Sequence, residues 1–175
     1  FFLSHFFREK YDAAMRTLPN MTTGIKVNRV EVWVTNKTAT TSNTRSVVAL
    51  TDLGENAQIS NPLWGAGALP VPANNANGEY AAMTTQYAAA RDIDQTSTVL
   101  DGISGFAGGR DYEKLQNARL LNSSEYTINS ALGYISLKSG LETDQVLAVA
   151  YEYTYGGQTY QVGEFAQDVT DVSQA

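Results

Sequence analysis

The single histidine is the first place to look for catalytic chemistry in this chain. His5 lies within the stretch FFLSHFF, at the start of a segment with helical spacing. A Ser-His-Asp arrangement requires a base that its neighbours hold rigidly in place. The start of a terminal helix is a poor position for such a base. The sequence therefore favours a spacer role for His5 over a catalytic one.

Two carboxylate pairs, Asp92 with Asp94 and Asp168 with Asp171, have a spacing that could serve calcium binding or acid–base catalysis. An EF-hand loop needs further oxygen ligands and a glycine at a fixed position, and these pairs have neither. The stretch FAGGRD at 106–111 lacks the Lys-Ser/Thr of a phosphate-binding loop, and the chain contains no cysteine for a zinc site. We expect solvated loop charges here, with no catalytic residue, cofactor or metal.

The aromatic residues Trp33, Trp64, Tyr134 and Tyr153 suggest carbohydrate binding, since β-sandwich domains can stack sugars on exposed rings. Trp33 alternates with valines that point to the opposite face of its strand. Its indole is therefore either exposed or covered by the long loop at 61–79, and we favour coverage.

Composition limits the elements that can position these residues. The chain has 175 residues, of which 43% are apolar and 17% charged, and these values are typical of one globular domain. A formal charge of −6 with scattered basic residues argues against nucleic-acid binding. No apolar run reaches the roughly 18–20 residues of a membrane helix, so we expect no membrane span. Because the chain starts at Phe1 without Met, we expect residues 1–175 to be a single domain excised from a larger protein.

Hydrophobic periodicity predicts a mainly-β α+β domain, with a β-sandwich-like arrangement of antiparallel sheets and packed helices. Residues 3–18 repeat apolar side chains at helical spacing up to Pro19, which predicts an amphipathic helix. Alternating patterns predict strands at about 28–36 and 45–53, which we expect to pair with each other, and further strands within 125–165. A single sheet with helices on one face is the alternative architecture.

The middle of the chain, 61–121, is predicted to be helical and loop-rich. Residues 61–79 hold three of the four prolines and many Gly and Asn residues, which indicates irregular structure. Helical patterns follow at about 79–91, 95–103 and 110–121.

The stretch QVLAVAYEYTYGGQTYQVGEF, residues 145–165, predicts a β-hairpin with a two-glycine turn. In the resulting register Tyr153 faces Tyr160 and Tyr151 faces Val162, which places these tyrosines on a core face. Tyr155, beside the turn, stays available to a partner. The predicted partner-contact residues of the whole chain are Trp33, Trp64 and Tyr155.

Long blocks of the sequence resemble, in order and spacing, a segment of the SprA/Sov family. These blocks are RVEVWVTNKT, NTRSVVALTDLGE and DYEKLQNARLLNSSEYTINSALGYISLKSGLETDQVLAVAYEYTYGGQTYQVGEF. The family consists of giant outer-membrane proteins required for gliding motility and type IX secretion. The resemblance covers nearly the whole chain and is weakest at about 57–105.

The resemblance implies a soluble-domain fragment of an outer-membrane translocon, with a structural and interaction role and no enzyme activity. It implies a place in the cell envelope, on the periplasmic or the extracellular side, and partners among the translocon, other secretion-system proteins or cargo. No catalytic or ligand-binding residue is carried over from the family. A carbohydrate-binding module of a cell-surface protein is the alternative function.

Overall fold

The structure is a computed structural model that describes residues 1–37 and 41–169. Its elements in chain order are α1 (His5–Met15), β1 (Ile25–Val34), β2 (Thr44–Leu50), α2 (Glu79–Thr84), a 3₁₀ helix (Ala88–Arg91), α3 (Thr96–Leu100), β3 (Tyr112–Leu120), β4 (Tyr126–Asn129), β5 (Tyr134–Leu137), β6 (Leu147–Tyr155) and β7 (Gln158–Val162).

Five strands form one antiparallel sheet in the order β2-β3-β1-β6-β7, and β4 pairs with β5 in a separate hairpin. The predicted class is therefore confirmed: the fold is mainly-β α+β, with antiparallel sheets and packed helices. The second layer is small. The hairpin contributes Ile135, which is fully buried against Val32 and Val34 of β1.

The expected pairing of the first two strands is wrong, because β3 lies between β1 and β2. The predicted helix at 110–121 is also wrong, since most of this segment is strand β3. A β-bulge explains the error: along β2 the register advances from Arg45 to Val47, while along β3 it moves from Ala118 to Leu115. The extra residue puts buried side chains three positions apart, a spacing that is also typical of a helix.

Other predicted elements are present with different bounds. The helix predicted at 3–18 is α1, which spans His5–Met15, and the strand predicted at 28–36 begins earlier, at Ile25. The helix predicted at 79–91 is divided into α2 and the 3₁₀ helix.

The register of the hairpin formed by β6 and β7 is confirmed. Tyr151 pairs with Val162 and Tyr153 with Tyr160. The turn residues Gly156 and Gly157 have φ values of 58° and 79°, as a primed two-residue turn requires. The tyrosines are thereby placed in the core, as predicted.

One side of the sheet, which we call the aromatic face, packs against α1. Phe7 of α1 has no exposed surface, and its ring contacts Tyr151 and Tyr153 edge-on at centroid distances of 5.7 and 5.0 Å. The opposite side, which we call the Trp33 face, buries Trp33 with Leu115, Ala118 and Ala148.

The connection between β2 and β3, residues 51–111, forms a third packing unit that we call the lobe. It contains all three short helices and a core of its own around Trp64, Leu100 and Phe106, which extends to Tyr112 at the start of β3. Within the two described ranges, no helix has the length and apolarity needed to cross a membrane.

Candidate functional site

Trp33, the first predicted contact residue, is buried, with 6% of its surface exposed. Its neighbours come from β2, β3, β6 and the segment after β7, where Ala166 packs against the cluster. The cover expected from the 61–79 loop is therefore supplied by other segments. The Nε1 group of Trp33 donates to Glu31 Oε2 at 3.3 Å, so the polar edge of the ring is also satisfied.

Trp64, the second predicted contact residue, lies in the core of the lobe and has 9% of its surface exposed. Its ring contacts Phe106 edge-on at a centroid distance of 5.3 Å. Phe106 in turn stacks on Tyr112. Neither tryptophan offers the open ring face on which a sugar stacks.

Tyr155, the third predicted contact residue, is half-buried beside the turn of the hairpin. Its hydroxyl accepts a hydrogen bond from Lys10 Nζ at 2.9 Å, and the same ammonium group lies 5.0 Å from the centre of the ring. Phe6 of α1 packs edge-on against this ring. Tyr155 therefore packs against α1, in a different hydrophobic cluster from Trp33 and Trp64. Its role as a partner contact stays a prediction.

The residues considered for catalysis lie apart from one another. His5 is exposed, and its Nδ1 lies 3.3 Å from Glu55 Oε1. Asp92 accepts from the backbone N–H of Asp94 at 3.0 Å and thereby shapes a turn. Asp168 pairs with Arg29 at 3.2 Å, and its predicted companion Asp171 lies outside the described residues.

Sequence reasoning missed a buried acidic network in the lobe. Asp52, with 2% of its surface exposed, accepts hydrogen bonds from the backbone N–H groups of Ser60 and Asn61, both at 2.8 Å. The side chain of Asn61 donates to Asp111 Oδ1 at 3.1 Å. This network joins Asp52, two residues after β2, to Asp111, the residue before β3, and so connects the two ends of the lobe.

Asp111 is the better compensated of the buried acids. Its Oδ2 accepts from the backbone of Ala107 at 2.7 Å and from Arg110 Nε at 3.0 Å. Hydrogen bonding from Arg110 lowers the pKa of Asp111, although burial acts in the opposite direction.

Glu79 is the least compensated acid among the described residues. It is the first residue of α2, has no exposed surface, and neither carboxyl oxygen has a hydrogen-bond partner. Burial, together with the charges of Asp52 and Asp111, raises the pKa of Glu79 to about 8. Because Glu79 has no exposed surface, its carboxyl group is out of contact with solvent in this structure.

A weak sequence signal could have indicated this network. Asp52 is the second residue after an apolar strand, Asp111 directly precedes a strand, and Glu79 follows Asn77 and Gly78 in a loop rich in turn formers. Acidic residues at strand ends usually lie in solvent. Only the folding of the lobe over the end of the sheet buries these side chains.

A cleft of about 570 Å³ lies beside β2. One side of it is β2, and the other includes the segment 163–169 that follows β7. Arg45 of β2 donates to the carbonyl of Ala166 at 3.1 Å and so connects the two sides. The lining of the cleft is largely apolar, as in many ligand-binding pockets of this size.

Glu164 forms a polar junction at the edge of this cleft. Its carboxylate accepts from Tyr80 Oη at 2.9 Å and from Arg91 Nη1 at 2.8 Å, with a second contact from Arg91. Hydrogen bonding from Arg91 lowers the pKa of Glu164. The junction joins the lobe to the segment after β7.

Within residues 1–37 and 41–169, no three His, Cys, Asp or Glu side chains lie close enough to share a metal ion. Neither a scan against protein-family models nor a search of curated proteins found a match to this chain.

Proposed function

We propose that this chain is a non-enzymatic structural and interaction domain of an outer-membrane protein-secretion channel that serves type IX secretion and gliding motility. The supporting observation is where the family-like blocks lie in the fold. They supply β1 from Arg29 onward, β2, β3 and the whole region from β4 to β7. The stretch that resembles the family least, residues 57–105, lies within the lobe. The resemblance therefore concerns one continuous scaffold and not a scattered set of positions.

In this proposal the scaffold presents two surfaces to the rest of the channel. One is the cleft beside β2, which in this proposal receives an extended segment of a neighbouring polypeptide. The other is the turn of the β6–β7 hairpin, where Gln158 is exposed opposite Tyr155. The domain acts as a contact and spacer element in the cell envelope.

The test is an in-frame deletion of residues 1–175 from the full-length channel gene. We expect export of a labelled cargo and surface gliding to be lost, while the remaining channel is still inserted in the outer membrane. A photo-crosslinking residue at Gln158 should capture a channel or secretion-system protein, and the same residue at the exposed Ser123 serves as control. Normal export after a deletion that leaves the channel assembled would contradict the proposal.

The alternative, a carbohydrate-binding module, has less support, because three of the four rings that suggested it are buried: Trp33, Trp64 and Tyr153 are 6%, 9% and 0% exposed, and Tyr134 is half-buried. A glycan array decides between the two proposals. Binding that disappears in Trp33→Ala or Trp64→Ala with the fold intact would favour the module.

A further inference from the structure

The lobe contains a carboxyl group whose surroundings are unsuited to a negative charge. Glu79 has no exposed surface, and both its carboxyl oxygens lack a hydrogen-bond donor. Its backbone N–H, in contrast, donates to Asn77 Oδ1 at 2.8 Å. Burial in such a place disfavours an ionised carboxylate far more than a neutral carboxyl group.

The charged groups that act on Glu79 come from both ends of the lobe. Asp52 follows β2 and Asp111 precedes β3, and the charge of each raises the pKa of Glu79 beyond the effect of burial. Arg110 is engaged by Asp111, to which it donates from Nε and Nη2 at 3.0 and 2.6 Å. The two acids Asp52 and Asp111 therefore disfavour a negative charge on Glu79.

Asn77 connects Glu79 mechanically to the base of the lobe. Its Nδ2 group donates to the carbonyls of Asp52 and Glu55 at 2.6 and 2.9 Å, while its Oδ1 holds the N–H of Glu79. The helix that begins at Glu79 has six residues, too few to be stable without packing. A movement of Glu79 toward water would therefore carry α2 and Asn77 with it.

We propose that the carboxyl group of Glu79 is a proton-binding switch that keeps the lobe closed over the end of the sheet while it is protonated. When the O–H bond breaks, the proton passes to solvent and the negative charge stays on Glu79. That charge is repelled by Asp52 and Asp111, and neither carboxyl oxygen of Glu79 accepts a hydrogen bond in the closed lobe. The carboxylate becomes hydrated when α2 moves away from the base of the lobe, and this movement exposes the core around Trp64.

The pH dependence follows from the two states of the protein. An unfolded glutamate releases its proton near pH 4.3, whereas the folded protein retains the proton up to about pH 8. Within this window the folded state binds the extra proton, so rising pH favours the unfolded state. The unfolding equilibrium constant should increase about tenfold per pH unit between pH 5 and 8 and level off above that range.

The first test observes the proton directly. In protein labelled with ¹³C at the glutamate carboxyl groups, we expect one resonance to titrate near pH 8 and to be absent in Glu79→Gln. The glutamine variant preserves the shape of the neutral carboxyl group, and it should lose the pH dependence of unfolding between pH 5 and 8. Glu164→Gln is the matched control, because its carboxylate is ionised throughout this window, and it should keep the wild-type slope. A Glu79 resonance that titrates near pH 4.5 overturns the proposal.

The second test separates opening of the lobe from unfolding of the whole chain. The protein has two tryptophans, so Trp33→Phe leaves Trp64 as a reporter of the lobe and Trp64→Phe leaves Trp33 as a reporter of the sheet. Between pH 7 and 9.5, acrylamide quenching should rise several-fold for Trp64 and stay constant for Trp33. An equal rise at both positions, or no rise at Trp64, overturns the proposal.

Adding calcium tests whether a metal ion could take the place of the proton on Glu79. At pH 9, 5 mM CaCl₂ should leave both the quenching of Trp64 and the melting temperature unchanged. Stabilisation by calcium that Glu79→Gln abolishes would assign the buried charge to a cation site and overturn the proton switch.

Discussion

The aromatic face and the lobe both bury polar atoms, but they compensate them in different ways. On the aromatic face, Tyr153 has no exposed surface and its neutral hydroxyl donates to the carbonyl of Pro72 at 2.8 Å. In the lobe, Asp52 and Asp111 are charged groups held by backbone and side-chain donors, and Glu79 has none. The sheet is therefore held mainly by packing, whereas the lobe combines an apolar core with hydrogen bonds to buried carboxylates.

The largest effect should come from breaking the aromatic face. Phe7→Ala removes a ring with no exposed surface, and a fully buried Phe→Ala change costs roughly 3–5 kcal/mol. Urea denaturation should show this loss for sheet and lobe together. Phe1→Ala is the matched control, because Phe1 is 65% exposed, and it should change stability little. A loss below about 1 kcal/mol at Phe7 would contradict the dependence of the sheet on packing against α1.

The next effect should be confined to the lobe. Asn61→Ala removes side-chain hydrogen bonds to Gly105 O, Asp111 and the N–H of Leu63, and we expect a loss of roughly 2–4 kcal/mol. Hydrogen exchange should increase within residues 51–111 while the amides of β1 and β6 stay protected. Asn28→Ala, at an exposed position, is the control. Equal loss of protection in the sheet would show that the two regions open as one unit.

Removing the buried hydroxyl group of Tyr153 on the aromatic face should have a smaller effect on stability. Tyr153→Phe leaves the ring in place and removes the hydrogen bond to Pro72 O, so we expect a loss of about 0.5–1.5 kcal/mol in the free energy of unfolding. Tyr160→Phe should be nearly neutral, since the Tyr160 hydroxyl bonds at an exposed position to Gln158. Thermal unfolding of both variants provides the measurement. A neutral Tyr153→Phe would mean that water replaces this contact.

The smallest effect should come from the junction between lobe and sheet. The side chains of Arg91 and Glu164 are 27% and 29% exposed, so Glu164→Gln should cost about 0.5–1 kcal/mol. Because Arg91 lowers the pKa of Glu164, this contribution is present above the usual carboxyl range and is lost as the pH falls through the lowered value. The difference between wild type and variant should therefore shrink from about pH 5 to pH 3. If the difference in stability stayed constant over this pH range, the effect of Glu164→Gln would come from altered packing and not from the lost charge.

The sequence predicted the elements that follow a simple period, and it failed where the period was broken or absent. The β6–β7 hairpin was predicted residue by residue because Gly156 and Gly157 fix the turn and alternation fixes the faces. Strand β3 was missed because its bulge imitates helical spacing, and that error also produced the wrong neighbour for β2. A local pattern shows which face of a strand is apolar, but not which strand lies beside it.

Hydrophobic alternation and turn chemistry are properties of neighbouring residues, so the fold class, the tyrosine core and the β6–β7 hairpin could be predicted from the sequence. The segments that cover Trp33, the burial of Trp64 and the proximity of Asp52, Glu79 and Asp111 depend on the tertiary structure. Those three acids are separated by tens of residues, and nothing local distinguishes them from solvated loop charges. Their environment arises only when the lobe closes over the sheet, since burial and mutual repulsion depend on distances through space and not along the chain.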